Sequence, residues 1–117
     1  MILELWYYKA TLPNNGGTKH RPVLIIGDDG DNGLSIVDIH YCLVSATAVK
    51  GEYDVEIDDD TAKNIGLSRA SVIKTTKIFT GSKGMLGSKI STLPDDIKNE
   101  FVQNFTRYQA NLNSKLK

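Results

Sequence analysis

The chain is poor in most of the residues that mark a special environment. Its 117 residues include one cysteine, three prolines and one tryptophan, and 14 basic side chains are matched by 14 acidic ones. A lone cysteine excludes an internal disulfide framework and fits a reducing compartment. Cys42 lies in the apolar run Ile39-His40-Tyr41-Cys42-Leu43-Val44, the place of a small buried hydrophobe. No stretch approaches the roughly 20 apolar residues that a membrane helix needs. Met1-Ile2-Leu3-Glu4 lacks the basic start and apolar run of a secretion signal. A cytoplasmic protein with no membrane partner is therefore expected. Zero net charge excludes a generally basic nucleic-acid coat. With 40% hydrophobic residues the chain is too apolar for a disordered tail. Its length suits one domain, residues 1–117, with a core of its own.

The charge that is present is segregated. Residues 51–60 carry six acids and no base, and residues 74–93 carry four lysines and no acid. Such a split predicts a polarised surface that repels a polyanion on one side and attracts it on the other.

The pattern along the chain is mostly that of strands. Leu3–Tyr8 is aromatic-rich, and Pro22-Val23-Leu24-Ile25-Ile26 reads as a central strand buried on both faces, with Pro22 at its first position. Between them Pro13-Asn14-Asn15-Gly16-Gly17-Thr18 is a dense group of turn formers. The Asp-rich loop Gly27–Gly33 does not place acceptors at EF-hand positions and lacks the closing Glu, so it reads as a solvated loop, not a calcium site. Strands are expected at Leu34 to Ile39 and Tyr41 to Ser45. Tyr53-Asp54-Val55-Glu56-Ile57 alternates, with its acids facing out. Asp58–Thr61 starts a short helix that Gly66 stops. Ser71 to Ile73 and Lys77 to Phe79 read as strand, continuous or broken. Met85 to Ile90 reads as a strand bulged or closely approached at Gly87.

Thr92 and Asp95 resemble a capping box, with Pro94 in the first turn. Beyond them Ile97, Phe101, Phe105, Tyr108 and Leu112 recur at spacings of four, four, three and four, one apolar stripe on a helix. Many short strands with two helices predict an α+β, mainly β fold, a small curled barrel.

Four segments carry a resemblance. They are Gly17-Thr18-Lys19-His20-Arg21-Pro22-Val23-Leu24-Ile25-Ile26; Val55-Glu56-Ile57-Asp58; Ile65-Gly66-Leu67 through Ser71-Val72-Ile73; and Leu86-Gly87-Ser88-Lys89-Ile90 with Leu93 and the helix. In this order and spacing the chain resembles the PemK/MazF toxins of bacterial type II toxin–antitoxin systems, from about Leu5 to Tyr108. The resemblance implies an SH3-like β-barrel with a C-terminal amphipathic helix, usually a homodimer. It implies an endoribonuclease that cuts single-stranded RNA without metal or other cofactor. The products carry a 2′,3′-cyclic phosphate and a 5′-hydroxyl, and a cognate antitoxin neutralises the enzyme.

Such chemistry needs a cation for the dianionic phosphorane and groups to move two protons. Arg21 aligns with the family's catalytic arginine, and its fork binds phosphate bidentately. The family's hydroxyl position falls on Ser45 or Thr47, of which Ser45 fits best. A strand-end serine also serves to satisfy its own backbone. One branch of the family uses an arginine, an aspartate and a loop histidine. These positions fall at Lys74, Thr76 and near Asn15, and all three depart from that pattern. His20 is a further candidate, because imidazole titrates near neutral pH. Alternation, however, sends His20 and Arg21 to opposite faces of a regular strand. Lys19, Lys50, Lys74 and Lys77 are candidates for phosphate contacts, and Asn14 and Asn15 for base edges. Trp6, Tyr7 and Tyr8 are either core or stacking platforms, and His40 reads as an ordinary strand residue.

Two other readings share the barrel. One is a gyrase inhibitor like CcdB, disfavoured because the C-terminal end lacks a tryptophan. The other is a barrel that binds RNA or a protein without catalysis, since function lives in the site.

Overall fold

In the computed structural model, residues 1–11, 17–29 and 38–117 are described below. The strands are β1 (Glu4–Thr11), β2 (Thr18–Asp28), β3 (Asp38–Ser45), β4 (Val55–Ile57), β5 (Ser71–Ser82) and β6 (Leu86–Thr92). Helix α1 (Asp59–Asn64) follows β4, a 3-10 turn (Lys83–Met85) joins β5 to β6, and α2 (Asp95–Lys115) ends the chain. The strands form one antiparallel sheet in the order β4-β5-β3-β2-β1-β6. The chain is thus mainly β with two helices, and its sheet is curled into a half-barrel.

The curl follows from apolar side chains on both faces. In β2 Val23, Leu24 and Ile25 are all at most 1% exposed. Leu24 joins a cluster with Leu5, Cys42, Val44, Ile73 and, from α2, Ile97 and Phe101. Val23 and Ile25 point the other way, to Ile39, Tyr41, Trp6 and Tyr8. The helices cover the first face. On the second face the sheet bends over itself. Tyr8 of β1 packs on Tyr41 at 4.8 Å between ring centroids, and Tyr41 on Phe79 of β5 at 5.9 Å. The Tyr8 hydroxyl rests on Gly81 of β5, where any Cβ would overlap it.

Several sequence expectations are met. Asp58 caps α1 by accepting from the Thr61 N–H, and Gly66 follows with φ +94°. Ser71 to Phe79 is one strand. Gly87 lies at a register break between β1 and β6, under the His20 ring. Leu34 to Val37, with Asn14, Asn15 and most of the Asp-rich loop, lies outside the described residues.

Others are corrected. Pro22 is the fifth residue of β2, not the first, because residues 18–21 pair with β1. It is tolerated because the ladder to β3 begins only at Val23. The capping box at Thr92 does not form. Thr92 belongs to β6 opposite Glu4, and α2 starts from Pro94 with no side-chain cap. The apolar stripe of α2 buries fully only at Ile97 and Phe101, and Leu112 is 42% exposed. Asp54 does not face out with Glu56. It is 2% exposed.

The overlap at Gly81 yields a direct test. Gly81→Ala should lower stability by about 1 kcal/mol, the low end for overpacking, because the half-buried Tyr8 ring has to shift to make room. A urea midpoint equal to wild type would contradict the packing of Tyr8 on β5.

Candidate active site

Three stretches converge at one end of the sheet: the start of β2, the end of β3 with the turn after it, and the segment between α1 and β5. They enclose a cleft of about 290 Å³. Lys19, His20 and Arg21 line it from β2, Ser45 and Thr47 from β3 and its turn, and Ser68 and Arg69 from the third stretch. Tyr7 of β1 closes one side.

Register explains why Arg21 and Ser45 both border this cleft. Val23 pairs with Leu43. That is the last rung of the ladder, and two positions beyond it Arg21 and Ser45 follow on the same face of their strands. His20 lies on the opposite face of β2, and its ring crosses β1 to lie over Gly87. A Cβ there would come 3.2 Å from Nδ1. His20 therefore borders the same cleft from the other side of the strand.

The electrostatics are simple. Arg21, Lys19 and Arg69 are exposed, and none pairs with an acid among the described residues. Among the described residues the cleft thus carries positive charge and no acid in its lining. Arg69 was not singled out from the sequence. It sits between two serines in no recognised motif, and only the fold brings it to β2. Its one signal was its place inside the Ile65–Ile73 segment of the resemblance.

Ser45 has a specific local task. Its Oγ accepts from the backbone N–H of Thr47 at 3.2 Å and of Ala48 at 3.1 Å, and lies 3.4 Å from Thr47 Oγ1. Both hydroxyl lone pairs are then engaged, which leaves the O–H as a donor. Ser45 in this state donates a hydrogen bond and does not serve as a base.

The remaining candidates lie elsewhere. Lys50 borders a separate hollow of about 550 Å³ whose rim includes Glu56, Asp58 and Glu100. Lys77 is exposed on β5, and Thr76 lies in a bulge of that strand. Lys74 Nζ donates to Val49 O at 3.1 Å and to the Asp54 carboxylate. His40 bonds Thr80 Oγ1 and Asp29, each at 3.0 Å, as a strand residue.

The expected charge split is also altered. Of the four lysines in 74–93, Lys74 and Lys89 pair with Asp54 and Glu4. Asp54, Asp58 and Asp59 of the acidic stretch likewise serve the fold. Cys42 is buried, and burial together with the Asp54 charge pushes its thiol up to about 12, so it is not a nucleophile at neutral pH.

Residues 4–107 match the family described as PemK-like, MazF-like toxin of type II toxin–antitoxin system. No curated protein matches the chain in sequence. Among solved structures, the Mycobacterium tuberculosis toxin MazF-mt6 superposes with a TM-score of 0.63 at 20% identity, over 87% of this chain and 93% of that one. An endoribonuclease in complex with its cognate antitoxin, from a mycobacterial species, superposes with a TM-score of 0.67 at 13% identity, over 94% of each chain.

Asp54 carries the prediction of this section. Burial pushes its carboxyl up, but the Lys74 ammonium and the Gly51 and Thr75 N–H groups more than offset that and hold it below the usual range. A depressed carboxylate stabilises the fold fully above its unfolded value, about pH 4, and that stability is lost as pH falls through the folded value. Asp54→Asn should cost about 3 kcal/mol at neutral pH, the low end for breaking a buried pair, because Lys74 keeps some solvent contact. In urea unfolding the gap to wild type should close below about pH 4. A gap independent of pH would contradict the assignment.

Proposed function

This chain belongs to the PemK-like, MazF-like toxin family of type II toxin–antitoxin systems, and on that premise we propose that it is an endoribonuclease for single-stranded RNA. The observation that carries the reading is the cleft where Arg21, Lys19 and Arg69 stand, with no acidic partner among the described residues, beside the hydroxyls of Ser45 and Thr47.

The reaction is a transesterification within the RNA. The 2′-oxygen attacks phosphorus as its proton leaves, the P–O5′ bond breaks, and O5′ departs with a proton. The products are a 2′,3′-cyclic phosphate and a 5′-hydroxyl. Arg21 holds the non-bridging oxygens as charge builds on them, and its fixed charge needs no reorganisation at that moment. Ser45 turns its O–H, which faces Thr47 Oγ1 at rest, to the same phosphate. Lys19 and Arg69 bind the flanking phosphates and keep the strand in the cleft. His20, on the far rim, carries one of the two protons and solvent water carries the other. No step calls on a metal or organic cofactor. Asn14 and Asn15 remain candidates for reading bases.

We read the partners in the same way: a cognate antitoxin that covers the cleft, a second copy of the chain, and a cytoplasmic setting. Support for the dimer comes from Phe79, which is 44% exposed although it stacks on Tyr41. A second copy would cover that ring.

Two experiments test this reading. Purified protein should cut single-stranded RNA in excess EDTA, and Arg21→Ala should lower kcat about 10²–10³-fold. Undiminished cutting by Arg21→Ala contradicts the role of Arg21, and tight RNA binding without any cutting favours the non-catalytic reading. Sedimentation should show a dimer at micromolar concentration, and Phe79→Asp should convert it to a folded monomer. A monomeric wild type would contradict the dimer.

A further inference from the structure

Lys74 lies where one branch of the family places a catalytic arginine, yet here its ammonium is turned into the protein. Its Nζ bonds the Val49 carbonyl and the Asp54 carboxylate. Asp54 also accepts from Gly51 N–H at 2.7 Å and Thr75 N–H at 3.0 Å. Two pieces of irregular backbone meet at this pair. One is the bulge of β5. Lys74 pairs with Leu43 and Ile78 with Cys42, so Thr75, Thr76 and Lys77 are extra residues with no opposite number on β3. The other is the loop from Ala46 to Tyr53, which starts at Ser45 and contributes Ala46 and Thr47 to the cleft.

The loop has few other anchors. Ser45 Oγ ties its first turn, and α2 holds its far end through Asn111 on the Tyr53 hydroxyl at 2.7 Å and Arg107 over the Tyr53 ring at 5.3 Å. Between these, Lys74 grips Val49 on one side and Asp54 on the other. If Lys74 left for a phosphate, it would abandon a buried carboxylate without its cation, a costly arrangement.

We propose that Lys74 and Asp54 form a positioning clamp. It fixes the Ala46–Tyr53 loop so that the hydroxyls of Ser45 and Thr47 face Arg21, and Lys74 does not touch the RNA. The inference rests on the reading of the cleft as an RNA-cleaving site. A displacement of about 1 Å at such a site is enough to cost about 10²-fold in rate.

The test measures cleavage and binding of one short single-stranded RNA at several salt concentrations. The binding arm uses the same RNA with 2′-O-methyl groups, which cannot be cut. The proteins are wild type, Lys74→Met, Asp54→Asn and the double variant, each checked by circular dichroism for folding at the assay temperature. A clamp predicts that each single variant loses about 10–10²-fold in kcat with little change in Kd, and that the double variant is no worse than either. The slope of log Kd against log salt stays as in wild type.

A phosphate contact predicts instead that Lys74→Met flattens that slope by about 0.7, the share of one contact on a single strand. It also predicts that Asp54→Asn, which frees Lys74, binds RNA as well or better and still cuts. Either result overturns the clamp. If Lys74→Met does not fold, Asp54→Asn alone decides, since the two readings give it opposite outcomes. A wild type that cuts no RNA removes the enzymatic reading itself. A wild type that cuts, with a flattened slope for Lys74→Met, removes only the clamp.

Discussion

The structure depends on one constraint: a sheet with apolar side chains on both faces has to be covered twice. Among its described residues the chain has two α-helices to offer, one of six residues and one of 21. They cover one face. The other is covered by the sheet itself, which bends until Tyr8 of β1 reaches Gly81 of β5 across two intervening strands. Bending of that degree needs an interruption in the ladder, and the bulge of β5 supplies it. The bulge leaves backbone groups without a strand partner, and Asp54 takes one of them, the Thr75 N–H. A single buried carboxylate thereby links the curl of the sheet to the loop that follows β3.

The functional consequence is local. Where β2 and β3 splay apart at the end of their ladder, the sheet stops presenting regular backbone and presents side chains. Arg21 and Ser45 stand on one face there, His20 on the other, and Arg69 arrives from the segment after α1. The positive charge of this cleft stands because no acid lines it, while Asp54 and Asp59 of the acidic stretch are paired with Lys74 and Lys63. Neutrality of the whole chain and positive charge of one cleft are therefore compatible.

Much of this was legible in the sequence, and the failures have physical reasons. The run Val23–Ile26 read best as a strand buried on both faces, and Arg21 at its mouth was visible with it. The cap at Asp58 and the glycine after α1 are local signals, so they were read correctly. The register break at Gly87 was legible because a bare glycine inside a strand pattern rarely has another use. Asp54 was misread because alternation knows nothing of a lysine 20 residues away. Thr92 was misread because pairing with Glu4, distant in sequence, outweighed a local cap. Arg69 went unseen for the same reason: its meaning comes from tertiary contact alone.

On the proposed function, RNA binds in the cleft between β2, β3 and the 67–71 segment. Hydrogen–deuterium exchange with a short RNA carrying 2′-O-methyl groups tests that most directly, since such an RNA binds without being cut. Protection should concentrate in residues 18–21, 45–48 and 67–71, with the Glu56–Glu100 hollow unchanged. Protection confined to that acidic hollow, or to the exposed face of α2, would contradict it.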